Sequence, residues 1–452
     1  MDNLLKILPS SLRRRLASRP YLQKIVANTG WLTLERVFRL GVGLLVSILV
    51  ARHLGPEQFG ILSYAASVIS FLGTFVYLGL SGLVVRDLVR FPEDTSLLLG
   101  TTFFMKLAGS LLALCLVFGV AWFAHGLHDQ EFWVLAIIGL SLLARPFETI
   151  DFWFQSRVQS KYAVAARSGA FLAGSASKIA LVFLGASVVG FACVTSLELT
   201  LGAVLLVCIY KYTGGSIARW KASLGKAKEL LAQSWIIILS GFLALANLKV
   251  DQIMLRWLSG TSEVGVYSVA VTFSEVWYFI PEFIVVSVYP RLIELKKSNS
   301  PEYDRKFQQI FDILFLIAFV VAIAMTVLAG PLIPFLYGDK YAAASSVLII
   351  HVWAGIFMFM RSLFSKWVLI ENALVFSLVS HGFGALVNVL ANLALIPAFG
   401  GQGAAVATLL SYAASSYFFL FFFAKTRPLA LKMSKSLLLP ARVILARGKI
   451  WA

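Results

Sequence analysis

Arg52-His53-Leu54-Gly55-Pro56-Glu57-Gln58-Phe59-Gly60-Ile61 interrupts two long apolar runs, residues 28–51 and 61–84. Each run exceeds the ~20 apolar residues that a helix needs to cross a bilayer. Two crossings joined by a short polar loop place the chain in a membrane, and the same pattern continues outward to both ends. The composition agrees. Of 452 residues, 59% are hydrophobic and 13% are charged, whereas soluble domains carry roughly 25% charged residues. So little charge cannot cover a globular surface, which excludes a soluble enzyme. Thirty-six Phe and 11 Trp exclude a disordered chain. Cys115, Cys193 and Cys208 lie in apolar runs and are neither a disulfide frame nor a metal site.

Scanning for such runs predicts an all-α polytopic membrane protein with twelve transmembrane helices, near 28–51, 61–84, 97–124, 131–155, 163–185, 187–210, 232–257, 264–289, 308–329, 342–370, 373–396 and 402–424. No small-residue cleavage site follows a short apolar region, so no cleaved signal peptide is expected. With the N-terminus in the cytoplasm, cytoplasmic segments hold 28 of the 39 Lys and Arg. The outer loops hold Arg52, Arg256 and Lys340. This positive-inside bias supports an even number of crossings with both termini cytoplasmic. It also assigns the net charge of +17 to anionic membrane lipid rather than to nucleic acid. The ends, 1–27 and 425–452, mix Leu and Ile with Arg and Lys; they read as interfacial amphipathic helices or as basic tails.

The loop after the seventh run repeats the first. Arg256-Trp257-Leu258-Ser259-Gly260-Thr261-Ser262-Glu263-Val264-Gly265-Val266 has the same order of Arg, Leu, Gly, acid, and a second Gly that opens the next helix. Trp31 corresponds to Trp235, and Arg86 to Arg291. The predicted organisation is two six-helix lobes, 28–210 and 232–424, joined by the basic linker 211–231. The lobes are expected to share one orientation about a central cavity.

The runs also contain charges. Arg36, Arg39, Lys106, Arg145, Lys178, Lys249, Arg361 and Lys366 face seven acids, Glu35, Glu148, Asp151, Glu198, Asp251, Glu275 and Glu282. At ~3 kcal/mol each, fifteen charges in lipid would cost on the order of 45 kcal/mol, beyond any fold's net stability. They are therefore expected to pair, snorkel or face a watery cavity. Glu35 with Arg39, and Arg145 with Glu148, are spaced to pair on one helix face. Arg36, Arg39, Lys106, Arg145, Lys178, Lys249 and Arg361 are the candidate cavity cations. Asp251 and Glu198 are candidates for ion coupling, and Arg86 and Arg291 for a cytoplasmic gate. Asn388 and Asn392, four apart, read as interhelical hydrogen-bonding groups, and Pro281 as a kink.

Catalytic patterns are missing. The chain has no Gly-x-x-x-x-Gly-Lys-Ser/Thr loop and no nucleophile elbow. His125 and His128 sit beside Asp129 in what reads as a solvated loop. No catalytic residue, metal site or cofactor is expected.

The run from Ala51 through Tyr64 resembles the first-loop signature of bacterial polysaccharide-repeat-unit flippases of the Wzx type. So do Lys249-Val250-Asp251-Gln252-Ile253-Met254-Leu255 with Glu263-Val264-Gly265-Val266-Tyr267-Ser268, and Phe152-Trp153-Phe154-Gln155 with Lys161-Tyr162. These belong to the polysaccharide transport branch of the multidrug/oligosaccharidyl-lipid/polysaccharide exporter superfamily. The resemblance implies a flippase moving undecaprenyl-pyrophosphate-linked oligosaccharide repeat units, O-antigen or another surface polysaccharide, from the inner to the outer leaflet of the bacterial cytoplasmic (inner) membrane. It implies alternating access and contact with membrane lipid, polysaccharide polymerase and chain-length proteins. The competing expectations are a drug or organic-cation antiporter of the same superfamily, which would want an acid-dominated cavity, and a transport-dead scaffold.

Overall fold

The computed structural model describes residues 20–124 and 126–445. Most of the amphipathic N-terminal stretch, His125, and the end of the C-terminal segment lie outside the described residues. Every regular element is helical, and no strand occurs among the described residues.

Nine helical segments are long and apolar enough to cross a membrane among the described residues. Gly30–Arg90 has 61 residues and Leu374–Phe422 has 49, both far beyond one crossing. Each contains a glycine with non-helical torsions: Gly55 (φ 73, ψ 171) and Gly400 (φ 52, ψ −130). Positive φ is open to glycine at little steric cost. Helix Lys161–Phe183, at 23 residues, is not among the nine. It carries Lys161, Arg167 and Lys178, which lower its apolarity. The repeat has a backbone counterpart. Gly260 (φ 94, ψ 172) has nearly the conformation of Gly55 and, like it, opens a helix.

The chain divides into two compact units: Met1–His53 with Leu72–Ile238, and Leu54–Phe71 with Leu239–Ala452. In the first unit the elements that matter here are α1 (Pro20–Leu72), whose residues up to 53 belong to it, α2 (Thr74–Tyr77), α3 (Ser81–Arg90), α4 (Thr95–Ala124), α5 (Gln130–Leu140), α6 (Thr149–Ser156), α7 (Lys161–Phe183) and α8 (Val188–Tyr212). Its core joins Leu80, Val84 and Leu88 to Phe154, Leu206 and Tyr210. The basic loop after α8 folds back here. Lys221 N–H donates to Ser96 O at 3.1 Å. Gly100 makes room, since a Cβ there would lie 2.2 Å from Lys221 O.

The second unit contains α9 (Leu224–Ser259, from residue 239), α10 (Thr261–Glu275), α11 (Phe279–Lys297), α12 (Glu302–Tyr337), α13 (Ala344–His351), α14 (Ala354–Ile370), α15 (Leu374–Ser416), α16 (Arg427–Leu437) and α17 (Leu439–Leu445). Residues 54–71 of α1 also pack in this unit. A Cβ on Gly60 would stand 1.8 Å from Thr261 O, and one on Gly265 would stand 1.9 Å from Pro56 O. These repeat-related glycines thus let two helix starts touch backbone to backbone. Residues 427–442 are docked rather than loose. Leu429, Ala430 and Met433 of α16 join the Phe307, Phe311 and Phe364 core. Arg442 pairs with the buried Asp312 at 3.3 Å, and Lys432 with Asp304 at 3.0 Å.

Candidate functional site

The first unit contains a cavity of about 510 Å3. Arg39 reaches it from α1, Lys106 from α4, Arg167 from α7 and Glu198 from α8. Two irregular stretches complete the wall. The first separates α2 from α3, where Leu78 (φ 50) and Gly79 (φ 58) adopt left-handed torsions. That conformation is strained for leucine, and the break sets Tyr77, Gly79 and Ser81 on the wall. The second is a 3-10 segment, Ser141–Glu148, between α5 and α6, with Pro146 inside it. Proline removes a backbone donor and disrupts α-helical packing, and 3-10 turns inside a spanning helix often mark functional positions. Ser141, Arg145 and Glu148 of this segment line the cavity, followed by Asp151 of α6.

The charges are held across helices. Lys106, 1% exposed, pairs with Glu148 at 3.3 Å, and Lys178 with Glu198 at 2.8 Å. Gly174 leaves space for this carboxylate, since a Cβ there would lie 2.4 Å from Glu198 Oε2. Arg167 is the hub. Its Nε and Nη2 donate to the two carboxylate oxygens of Glu35 at 3.0 Å each, and its Nη1 donates to Asp151 Oδ2 at 2.9 Å. Such fork-to-carboxylate bonds combine charge with fixed geometry. The spacing-based pair Glu35–Arg39 forms at 3.6 Å, but it is secondary to Arg167. Arg145 and Glu148 take partners elsewhere. Arg145 donates to Tyr77 Oη at 2.5 Å and lies over the Tyr77 ring at 5.2 Å.

Four basic and three acidic side chains line the cavity. The acids are already engaged by Lys106, Lys178 and Arg167. Arg145 Nε, by contrast, is buried with no hydrogen-bond partner. A buried unpaired donor is costly, and here it belongs to a guanidinium on a cavity wall. That arrangement suits an anionic group carrying several acceptor oxygens.

The remaining candidates are dispersed. Arg36 is exposed on α1 and is not among the lining residues. Lys249 is half-buried on α9. Arg361 lines a separate, smaller chamber in the second unit. Asp251, buried in that unit, accepts from Tyr267 Oη at 2.9 Å, from Asn392 Nδ2 at 2.6 Å and from the Thr408 hydroxyl. Asn392 also donates to Asn388 Oδ1 at 3.1 Å within its own helix; its bond to Asp251 is the interhelical one. Arg86 contacts Asp87 and Gln233, each at 2.8 Å. Arg291 contacts Glu294 at 2.9 Å and Glu302 at 3.5 Å. All these partners lie in the residue's own unit. No cluster of three or more His, Cys, Asp or Glu placed to hold a metal occurs among the described residues.

Sequence reasoning overlooked Arg167 and Tyr77. Arg167 lies near the start of the apolar run 163–185, where a basic residue reads as part of the cytoplasmic positive charge. Tyr77 carries no charge and so drew no attention.

The family described as "Polysaccharide biosynthesis protein" matches residues 25–296. This chain belongs to that family. It is 24% identical over 387 residues to the probable flippase AglR of Haloferax volcanii, covering 82% of this chain and 77% of the relative. It is likewise 24% identical over 426 residues to an uncharacterized membrane protein of Methanocaldococcus jannaschii, covering 87% and 82%. Among solved structures, the lipid II flippase MurJ in an inward closed conformation superposes with a TM-score of 0.69 at 14% identity, covering 93% of each chain. An inward-facing multidrug resistance transporter of the MATE family gives 0.64 at 15%, covering 87% and 95%. This family member therefore has the polytopic all-α fold of those transporters.

Proposed function

We propose that this chain is a flippase that moves undecaprenyl-pyrophosphate-linked oligosaccharide repeat units from the inner to the outer leaflet of the cytoplasmic membrane. The observation that carries this reading is the first-unit cavity, which Arg39 and Arg145 both line and where Arg145 holds an unpaired buried donor while the acids are engaged by other cations. A pyrophosphate is the part of such a substrate least able to enter lipid. Arginines that replace its hydration by paired hydrogen bonds lower that barrier. Arg39, Arg145 and Lys106 are the primary headgroup ligands in this reading, with Lys178 acting through Glu198; Arg36 and Lys249 are secondary candidates. Lipid-linked glycan and membrane lipid are the partners, with polymerase and chain-length proteins acting on the product.

The topology we propose has twelve crossings. Gly30–Arg90 and Leu374–Phe422 count as two each, and Lys161–Phe183 is added to the remainder. Both termini are cytoplasmic, and the first and last six crossings form the two repeats, joined by 211–231. Exposure of the cavity first inward and then outward completes a cycle. An inside-negative potential drives negative charge outward, by ~2.3 kcal/mol per charge per 100 mV. Asp251 and Glu198 are the proposed ion-coupling carboxylates, and Arg86 and Arg291 the cytoplasmic gate residues. Glu148, Asp151 and Glu198 on the cavity wall favour, as a second reading, an organic-cation antiporter.

Proteoliposomes loaded with a fluorescent lipid-linked oligosaccharide separate the two. The flippase reading expects protein-dependent exposure of the glycan, lowered about 30-fold by Arg145→Ala, the equivalent of ~2 kcal/mol of a charge-assisted contact. Glycan exposure equal to protein-free vesicles, with cation extrusion present instead, would overturn it.

A further inference from the structure

Arg361 lies in the middle of α14 and is 7% exposed. Its Nη1 donates to Ser415 O at 3.3 Å and to Ser416 Oγ at 3.4 Å, and its Nη2 donates to Ser380 Oγ at 3.2 Å. The Phe364 ring lies 5.7 Å from the guanidinium carbon. All these partners are neutral, and no carboxylate pairs with Arg361 among the described residues. Lys106, the other fully buried cation described above, has an acid; this one has hydroxyls, a carbonyl and a ring. Buried charges are normally paired or neutralised.

Beside the guanidinium is a chamber of about 60 Å3. Its polar lining is Arg361, Asn247, His381, Tyr412 and Ser415, and no Asp or Glu lines it among the described residues. Asn247 is already committed, donating to His381 O at 3.1 Å and accepting from Ser411 Oγ at 2.8 Å. What remains for a guest is the guanidinium, with the Tyr412 and His381 side chains beside it. A water needs ~10–15 Å3 of such space, so the chamber admits a few water-sized particles. A pyrophosphate bearing sugars does not fit.

We infer that the Arg361 chamber is a binding site for a small monovalent inorganic anion of halide size, which supplies the missing counter-charge inside the second unit. The site goes beyond the headgroup reading, because it is separate from the larger cavity and needs no glycan.

The test is thermal unfolding of the purified full-length chain, followed by tryptophan fluorescence, with chloride replaced by gluconate at constant ionic strength. Ligand linkage predicts a saturable rise in Tm, about 4 °C at a hundred-fold excess over Kd. Bromide and nitrate should substitute, and gluconate should not. Arg361→Gln should abolish the chloride dependence. Ala244→Leu, which fills the chamber and keeps the arginine, should abolish it too. Should Arg361→Gln fail to fold, Ala244→Leu and 35Cl NMR line broadening of the wild type, reversed by bromide, carry the test. No chloride dependence in the wild type, or the same dependence in Ala244→Leu, overturns the site.

Discussion

Two sets of interior charges, one in each unit, are held in opposite ways. In the first, charge meets charge. Lys106–Glu148, Lys178–Glu198 and the Arg167 hub form ion pairs around a cavity of about 510 Å3. In the second, Asp251 and Arg361 are each surrounded by neutral hydroxyls and amides in a packed interior. The repeat does not carry the charges across. At the offset relating Trp31 to Trp235 and Gly55 to Gly260, the place of Arg39 falls on Leu243 or Ala244. The first unit thus sets its charges around a cavity of about 510 Å3, and the second sets Arg361 beside a chamber of about 60 Å3. Paired charges depend on their partners, whereas dipole-solvated charges depend on the shape of a nest.

This contrast predicts unequal costs of neutralisation. Arg167→Gln should be the most damaging, because Asp151 keeps its charge and loses its cation, and Glu35 is left with only the longer contact to Arg39. Removing one member of a buried pair costs 3–5 kcal/mol, and partial exposure reduces this to about 3 kcal/mol. Chemical unfolding in detergent would read it, and adding Glu35→Gln should restore at least ~1 kcal/mol. An additive double mutant would break the hub. Next, Gly265→Ala forces a Cβ against Pro56 O and should cost roughly 1–3 kcal/mol by the same measurement. An unchanged midpoint would show that the backbones are free to separate. Asp251→Asn keeps the shape of its nest and should lie within ~1 kcal/mol of wild type, while removing any ion dependence of transport. A loss as large as that of Arg167→Gln would erase the distinction between the units. The smallest effect is Arg291→Ala, which removes exposed, solvent-screened pairs and should leave the unfolding midpoint unchanged; a measurable loss would show that Arg291 has a role beyond its local pairs.

The docked C-terminal helix shows where composition is ambiguous. Its alternation of Leu and Lys suits a membrane surface, a basic tail or a protein groove equally. Only the apolar surface offered by Phe307 and Phe311 selects the last. The site was legible in part. Arg39, Lys106, Arg145 and Glu198 stood out as charges in apolar runs, and all four line the cavity. Their partners did not stand out. Spacing rules see neighbours three or four residues apart, whereas Lys106 and Glu148 are 42 apart and Glu35 and Arg167 are 132 apart.

From the sequence alone came the helical class, the membrane setting and the repeated loop, because these rest on run length, hydropathy and glycine placement, all local along the chain. Which cation meets which acid, where Pro146 and Leu78 open the wall, and which charges stand among neutral dipoles were decided only by tertiary structure. Electrostatic partnership depends on distance in space, and helices brought side by side set that distance with no record in the spacing along one helix.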